Sequence, residues 1–201
     1  MLCVAQQTSL NFFFNTNIVL KRYLIQDHRF LDAFVILLSS MISKARSLKD
    51  RIPGCQFLAI ITGKENTYFE RCFEKFGCTN DERNAIPDAE CTIKFINLMK
   101  DVSYNGSLAE MLAVLVVCEW SYLSWGQCVS QQTNRDDFVT YEWVDLHSGE
   151  YFESVVTYLR TLLDVEGDKY LSDNEKEKCK ERFLYAVDLE EKFFENAYNN
   201  E

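Results

Sequence analysis

The stretch Ala109–Gln127, "AEMLAVLVVCEWSYLSWGQ", decides the fold. It is strongly apolar and free of proline, and Ser107 and Glu110 stand just before and inside its start at the spacing of a capping box. That combination predicts a helix at the centre of a helical bundle. Two groups interrupt the apolar surface, the thiol of Cys118 and the carboxylate of Glu119. Adjacent residues on a helix point about 100° apart, so Glu119 is not by position the base that would activate the thiol. Tyr122 and Trp125, four and seven residues on, share the Cys118 face.

The flanking sequence extends the helical pattern. From Ile18 to about Arg46, the apolar residues Leu20, Tyr23, Leu24, Phe30, Leu31, Phe34 and Leu38 recur at intervals of three and four without Gly or Pro, which predicts one long amphipathic helix. Pro53 and Gly54 are expected to break it. One or two shorter helices follow, with Gly77 as terminator, a turn at "CTNDER" and a reset at Pro87. "CTIKFINLMKDV" precedes the central segment across an Asn-Gly turn. After the polar "SQQTNRDD" come helices around "FVTYEWVDLH" and "GEYFESVVTYLRTLLD", then a long one from about Ser172 to Asn199. Strand-like alternation is rare and no repeat of fixed period occurs, so the expected architecture is a single all-α bundle over residues 1–201, with 1–17 atypical.

Composition narrows the function classes. A formal charge of −10 with no basic stripe argues against nucleic acid and anionic membrane as partners. Eight cysteines lie scattered without a C-x-x-C pair beside only two histidines, which points to a reducing compartment and a poor zinc supply. The start, "MLCVAQQTSLNFFFNTN", lacks the basic region of a secretory signal, and its apolar runs are too short to span a bilayer. A cytoplasmic protein is expected. Phosphate-cradling glycine loops, nucleophile elbows and the H-E-x-x-H motif are missing from the sequence.

Carboxylates stand where a bundle should be apolar. Asp27 lies on the stripe of the first long helix, and Glu190 shares a face with Phe183, Ala186, Val187, Phe193, Phe194 and Ala197. A buried acid must be paired, hydrogen-bonded, protonated or beside a polar cavity. The plain alternative for each is a core acid bonded to a Tyr or Trp on the next helix. For Cys118 it is a small buried hydrophobe, for the aromatics ordinary packing, and for His147 a surface or junction residue rather than a metal ligand.

Taken in order, the acid on the first helix, Cys-x-Trp-x-Tyr on the central one and Glu before Phe-Phe on the last give a recognisable series. The chain resembles the TenA/thiaminase II family through "YLIQDHRFLDAF" (23–34), "LAEMLAVLVVCEWSYLSWG" (108–126), "EWVDLHSGEYFESVV" (142–156) and "LEEKFFENAY" (189–198). The resemblance implies a haem-oxygenase-like bundle that hydrolyses aminopyrimidines or formamidopyrimidines in thiamine salvage, without a cofactor or metal. It implies Asp27 as the acid holding the ring, Phe30 as the stacking aromatic, Cys118 as nucleophile, Tyr122 beside it, and Glu190 as the proton-handling acid near the leaving group. Phe95 stands where a tyrosine is common and His147 where an aromatic closes the pocket. Val117 replaces a proline, and "GKENTYFERCF", with Glu65 and Tyr68, is similar to a branch with a variant cysteine motif. Family members carry a further N-terminal helix for which residues 1–17 are an indifferent candidate, and they form dimers or tetramers. The alternatives are a ligand-binding member without catalysis and an oxidase on the same bundle, the latter disfavoured by two histidines and the acidic charge.

Overall fold

A computed structural model describes residues 17–131 and 133–199. The atypical segment expected over 1–17 therefore lies outside the described residues, apart from Asn17. Among the described residues the secondary structure is helical, with no strand. Helix α1 spans Asn17–Lys44 and α2 Leu48–Ile60. A wider, π-helical turn over Ile61–Glu65 leads straight into α3, Asn66–Lys75. Then come α4 (Asn80–Ala85), α5 (Glu90–Asn105), α6 (Leu108–Val129), α7 (Phe138–Ser148), α8 (Glu150–Lys169) and α9 (Asp173–Asn199).

Helix α6 is the centre of the bundle, packed against α1, α5, α7, α8 and α9. Its start is fixed by both halves of a capping box: the Glu110 amide donates to Ser107 Oγ (3.2 Å) and the Ser107 amide to Glu110 Oε2 (2.8 Å). Almost every side chain from Ala109 to Leu123 is buried, as befits a helix apolar all round. By length and composition this helix could cross a bilayer, but two thirds of its most apolar window is covered by neighbouring helices. Helix α1 runs along α5. Gln26 locks the two together, donating to the Pro87 carbonyl (3.1 Å) and accepting from the Ala89 amide (3.0 Å) and Thr92 Oγ1 (2.8 Å).

Two turn readings are corrected by the structure. Pro53 and Gly54 do not break the chain, because both lie inside α2. The break falls at residues 45–47, where Ser47 Oγ accepts the Asp50 amide (3.2 Å) and caps α2. Gly54 is instead a contact residue: a Cβ there would stand 2.7 Å from Ile42 Cγ1 on α1 and 3.2 Å from the Tyr158 hydroxyl on α8. The "CTNDER" turn is the short helix α4, capped by Thr79 and Glu82. Gly77 does terminate α3, at φ +60°. The amide of Cys78 returns to the Phe73 carbonyl (2.9 Å) and that of Gly77 to Glu74 (3.0 Å), the paired bonds of a Schellman end.

Candidate active site

A narrow hollow opens beside α6, with about 20 Å³ of free volume between its side chains, room for about one water molecule. Helix α1 supplies Asp27, Phe30, Leu31 and Phe34 to it. Phe57 of α2 and Ile61 and Glu65 of the π turn form a second wall, and Cys118, Glu119 and Tyr122 of α6 with His147 of α7 close it. Of the residues expected from sequence, Asp27, Phe30, Cys118, Tyr122 and His147 line this space. Glu190 is not among the lining residues; it is buried and interacts with the Cys118 thiol. Phe95 is likewise absent from the lining, fully buried and edge-on to Phe30 with ring centroids 5.0 Å apart.

Asp27 is held by a chain of donors from three helices. The Trp143 indole N–H donates to the Tyr23 hydroxyl (3.0 Å), Tyr23 to Tyr122 (3.3 Å), and Tyr122 to Asp27 Oδ1 (2.9 Å). Tyr23 precedes Asp27 by one helical turn, so both face the same way. Burial pushes the Asp27 carboxyl up to about 7, although hydrogen bonds from Tyr23 and Tyr122 pull against that rise. At neutral pH this group exists both as acid and as carboxylate.

The thiol of Cys118 and the carboxyl of Glu190 are hydrogen-bond partners. Burial, and then the neighbouring carboxyls Glu190 and Glu119, raise the thiol well above its ordinary range. Glu190 is also raised, first by burial and then by the Asp27 charge, with the thiol bond opposing. The carboxyl is only 2% exposed, and its Oε1 has no hydrogen-bond partner among the described residues. A resting thiolate is therefore not built into this site, and activation requires proton transfer to the adjoining acid.

The hollow is also lined by two acids to which the sequence assigned no role, Glu65 from the π turn and Glu119 from α6. Burial and the Asp27 charge carry Glu65 up to about 8. Glu119 is raised by burial, then by Glu65, Glu190 and Asp27. His147, expected at a surface or junction from local sequence, is buried. Its Nδ1 bonds the Trp143 carbonyl (2.7 Å), an acceptor only, so Nδ1 carries the proton and Nε2 presents a lone pair 4.0 Å from Glu65 Oε1. Burial depresses the imidazole to about 4, which makes this contact a neutral one at pH 7 rather than an ion pair. The close crossing that puts His147 here depends on Gly126, where a Cβ would meet the His147 carbonyl oxygen at 2.6 Å. Among the described residues no cationic side chain lines the hollow. No metal-holding cluster of His, Cys, Asp or Glu occurs among the described residues.

Three comparisons bear on this arrangement. The TENA/THI-4/PQQC family model matches residues 16–200. An aminopyrimidine aminohydrolase of Halalkalibacterium halodurans is 28% identical over 178 residues, 88% of this chain and 79% of that protein. Another from Helicobacter pylori is 27% identical over 180 residues, 89% of this chain and 82% of that one. Among solved structures, a TenA homologue from Pyrococcus furiosus superimposes with a TM-score of 0.78 at 19% identity, covering 90% of this chain and 84% of that one.

Proposed function

The chain belongs to the TENA/THI-4/PQQC family, and from that premise we propose that it hydrolyses aminopyrimidines of the kind salvaged from degraded thiamine. The observation that carries this reading is the Cys118 thiol, partnered by the buried Glu190 carboxyl and lining a hollow that Asp27 lines from another helix. Relatives named aminopyrimidine aminohydrolases support the reaction class.

An aminopyrimidine offers a ring nitrogen and an adjacent amino group along one edge. A carboxyl that is acid about half the time at neutral pH matches both, donating to the nitrogen and accepting from the amine. Asp27 thus orients the ring and lends it a proton, while Phe30 supplies an apolar face. Cys118 adds to the activated ring carbon as its proton passes to Glu190. The side-chain amine then departs, water takes its place, and the carbon–sulfur bond breaks as Glu190 returns the proton to sulfur. Covalent addition divides one difficult displacement into two easier ones. The same acidic hollow and charge of −10 fit a small-molecule ligand rather than nucleic acid or an anionic membrane. We extend the proposal to a cytoplasmic homo-oligomer, a dimer or tetramer, in keeping with its free cysteines and with the family.

The test is release of ammonia and hydroxymethylpyrimidine by purified protein, with Cys118→Ser and Glu190→Gln alongside. Each variant is expected to lose at least a hundredfold in kcat/KM, the lower end for a general acid–base group. Full activity in both variants, or none in the wild type, would overturn the mechanism. The high position of the thiol favours one second reading, a ligand-binding member without turnover. Thermal stabilisation by an aminopyrimidine with no ammonia released would select it.

A further inference from the structure

The lining of the hollow carries acceptors that the fold leaves unsatisfied. Glu119 is only 8% exposed and Glu65 is largely buried, yet neither makes a hydrogen bond among the described residues. His147 is buried as well. Its Nδ1 proton is committed to the Trp143 carbonyl, so Nε2 presents a lone pair 4.0 Å from Glu65 Oε1, too far for a direct bond. These three groups come from three elements, the π turn, α6 and α7, and line one space that no cationic side chain among the described residues shares. Buried acceptors without a donor are costly until something completes them. What completes this set must bring several donors and a positive charge, and must be no larger than a water molecule, because only about 20 Å³ is free. A pyrimidine ring enters only if the walls part, whereas an ammonium ion meets all three demands without such movement. A nitrogen about 2.8 Å from both Glu65 Oε1 and His147 Nε2 would see them roughly 90° apart, within reach of two of its tetrahedrally arranged N–H groups. A potassium ion is of similar size but has no N–H to donate, and such hard cations take oxygen rather than imidazole nitrogen.

We propose that Glu65, Glu119 and His147 Nε2 form a subsite for a primary ammonium group, filled by the aminomethyl head of the pyrimidine substrate or by free ammonium. The first of these sources rests on the aminopyrimidine hydrolase reading above; the second does not. While the subsite is empty, burial keeps protons on Glu65 and Glu119, and an arriving ammonium group displaces one of them, since a cation in the same space favours the carboxylate. His147 stays neutral throughout and serves as acceptor only.

The first test needs no turnover. Thermal melts of the wild type are compared in ammonium chloride, potassium chloride and tetramethylammonium chloride at equal concentration. Ammonium is expected to raise Tm by about 2–4 °C over the other two, and Glu119→Gln and Glu65→Gln each to remove most of that gap. Each variant is its own reference, and a cooperative melt in potassium chloride shows that it is folded; should one fail to fold, the wild-type contrast between ammonium and potassium still decides. Equal Tm in those two salts, or a gap undiminished in both variants, would overturn the subsite and leave the hydrolase reading untouched. Turnover then separates the two sources. Inhibition of aminomethylpyrimidine hydrolysis by ammonium chloride that is competitive with substrate assigns the subsite to the substrate's own amine. Noncompetitive inhibition, or none, beside the same Tm gap assigns it to the free ion. In the competitive case Glu119→Gln is expected to lower kcat/KM about 10- to 100-fold, the worth of a charged hydrogen bond, and to weaken ammonium inhibition with it. A fall in kcat/KM with ammonium inhibition unchanged would mean that Glu119 serves the chemistry instead, and would overturn the assignment. A wild type that shows the ammonium gap but releases no ammonia from the amine would keep the subsite and bring down the hydrolase reading.

Discussion

Replacing Asp27 by Asn should change how stability depends on pH. Burial carries the Asp27 carboxyl from 3.8 to about 7 in the folded chain. Between those limits the folded protein holds a proton that the unfolded chain has released, so stability falls as pH rises through the window and levels off above it. The rise of about three pH units corresponds to roughly 4 kcal/mol. About two of those units, roughly 3 kcal/mol, fall between pH 5 and pH 8. An amide never ionises, yet its Oδ1 can still accept the Tyr122 hydroxyl that now donates to Asp27. The Asp27 charge also helps to raise Glu65, Glu119 and Glu190, so removing it eases those groups in the same direction. Urea denaturation of both proteins at pH 5, 6.5 and 8 reads the effect. The variant should gain about 3 kcal/mol or more on wild type between the first and last of these values. Parallel stability curves would mean that Asp27 ionises freely in the fold, and the reasoning from burial would fail.

Two glycines give simpler tests. Gly126→Ala brings a methyl group within 2.6 Å of the His147 carbonyl oxygen, which forces α6 and α7 apart; a loss of roughly 1–3 kcal/mol is expected in a thermal melt, together with weaker binding of any aminopyrimidine. Gly77→Ala meets no neighbouring atom, but the residue sits at φ +60°, so denaturation should register about 1 kcal/mol of pure backbone cost and Gly77→Asn appreciably less.

Much of the bundle could be read from spacing. The stripe from Leu20 to Leu38 and the capping box at Ser107 each rest on local rules that the tertiary fold respects. Asp27 and Glu190 were visible because a carboxylate on an apolar stripe contradicts its surroundings. Pro53 misled because a proline costs one backbone bond and need not end a helix that packing holds together. The quieter signal was Ser47 with Asp50, which in fact starts α2. Glu119 was set aside for pointing away from Cys118, but the hollow wraps far enough around α6 to take both side chains. Periodicity names a face and not a depth, so it could not show that Phe95, packed edge-on to Phe30, and Glu190, partner of the thiol, are absent from the lining of the hollow. Glu65, in the polar run "TGKEN", gave no apolar context from which to infer burial.

The widened turn at Ile61–Glu65 has a consequence for how this molecule can diversify. Phe57, Ile61, Glu65, Phe69 and Phe73 follow one another at a constant step of four, and four of the five are buried. On an ordinary helix each such step drifts by roughly 40°, enough over the whole series to turn its last member to the opposite side. The extra residue in the turn absorbs part of that drift and keeps a carboxyl in rank with the aromatic rings. Loss of a single codon there would re-phase the ladder and rotate Glu65 off the cavity wall, so a length change, more than any point substitution, is the economical route by which descendants of this chain could remodel that wall.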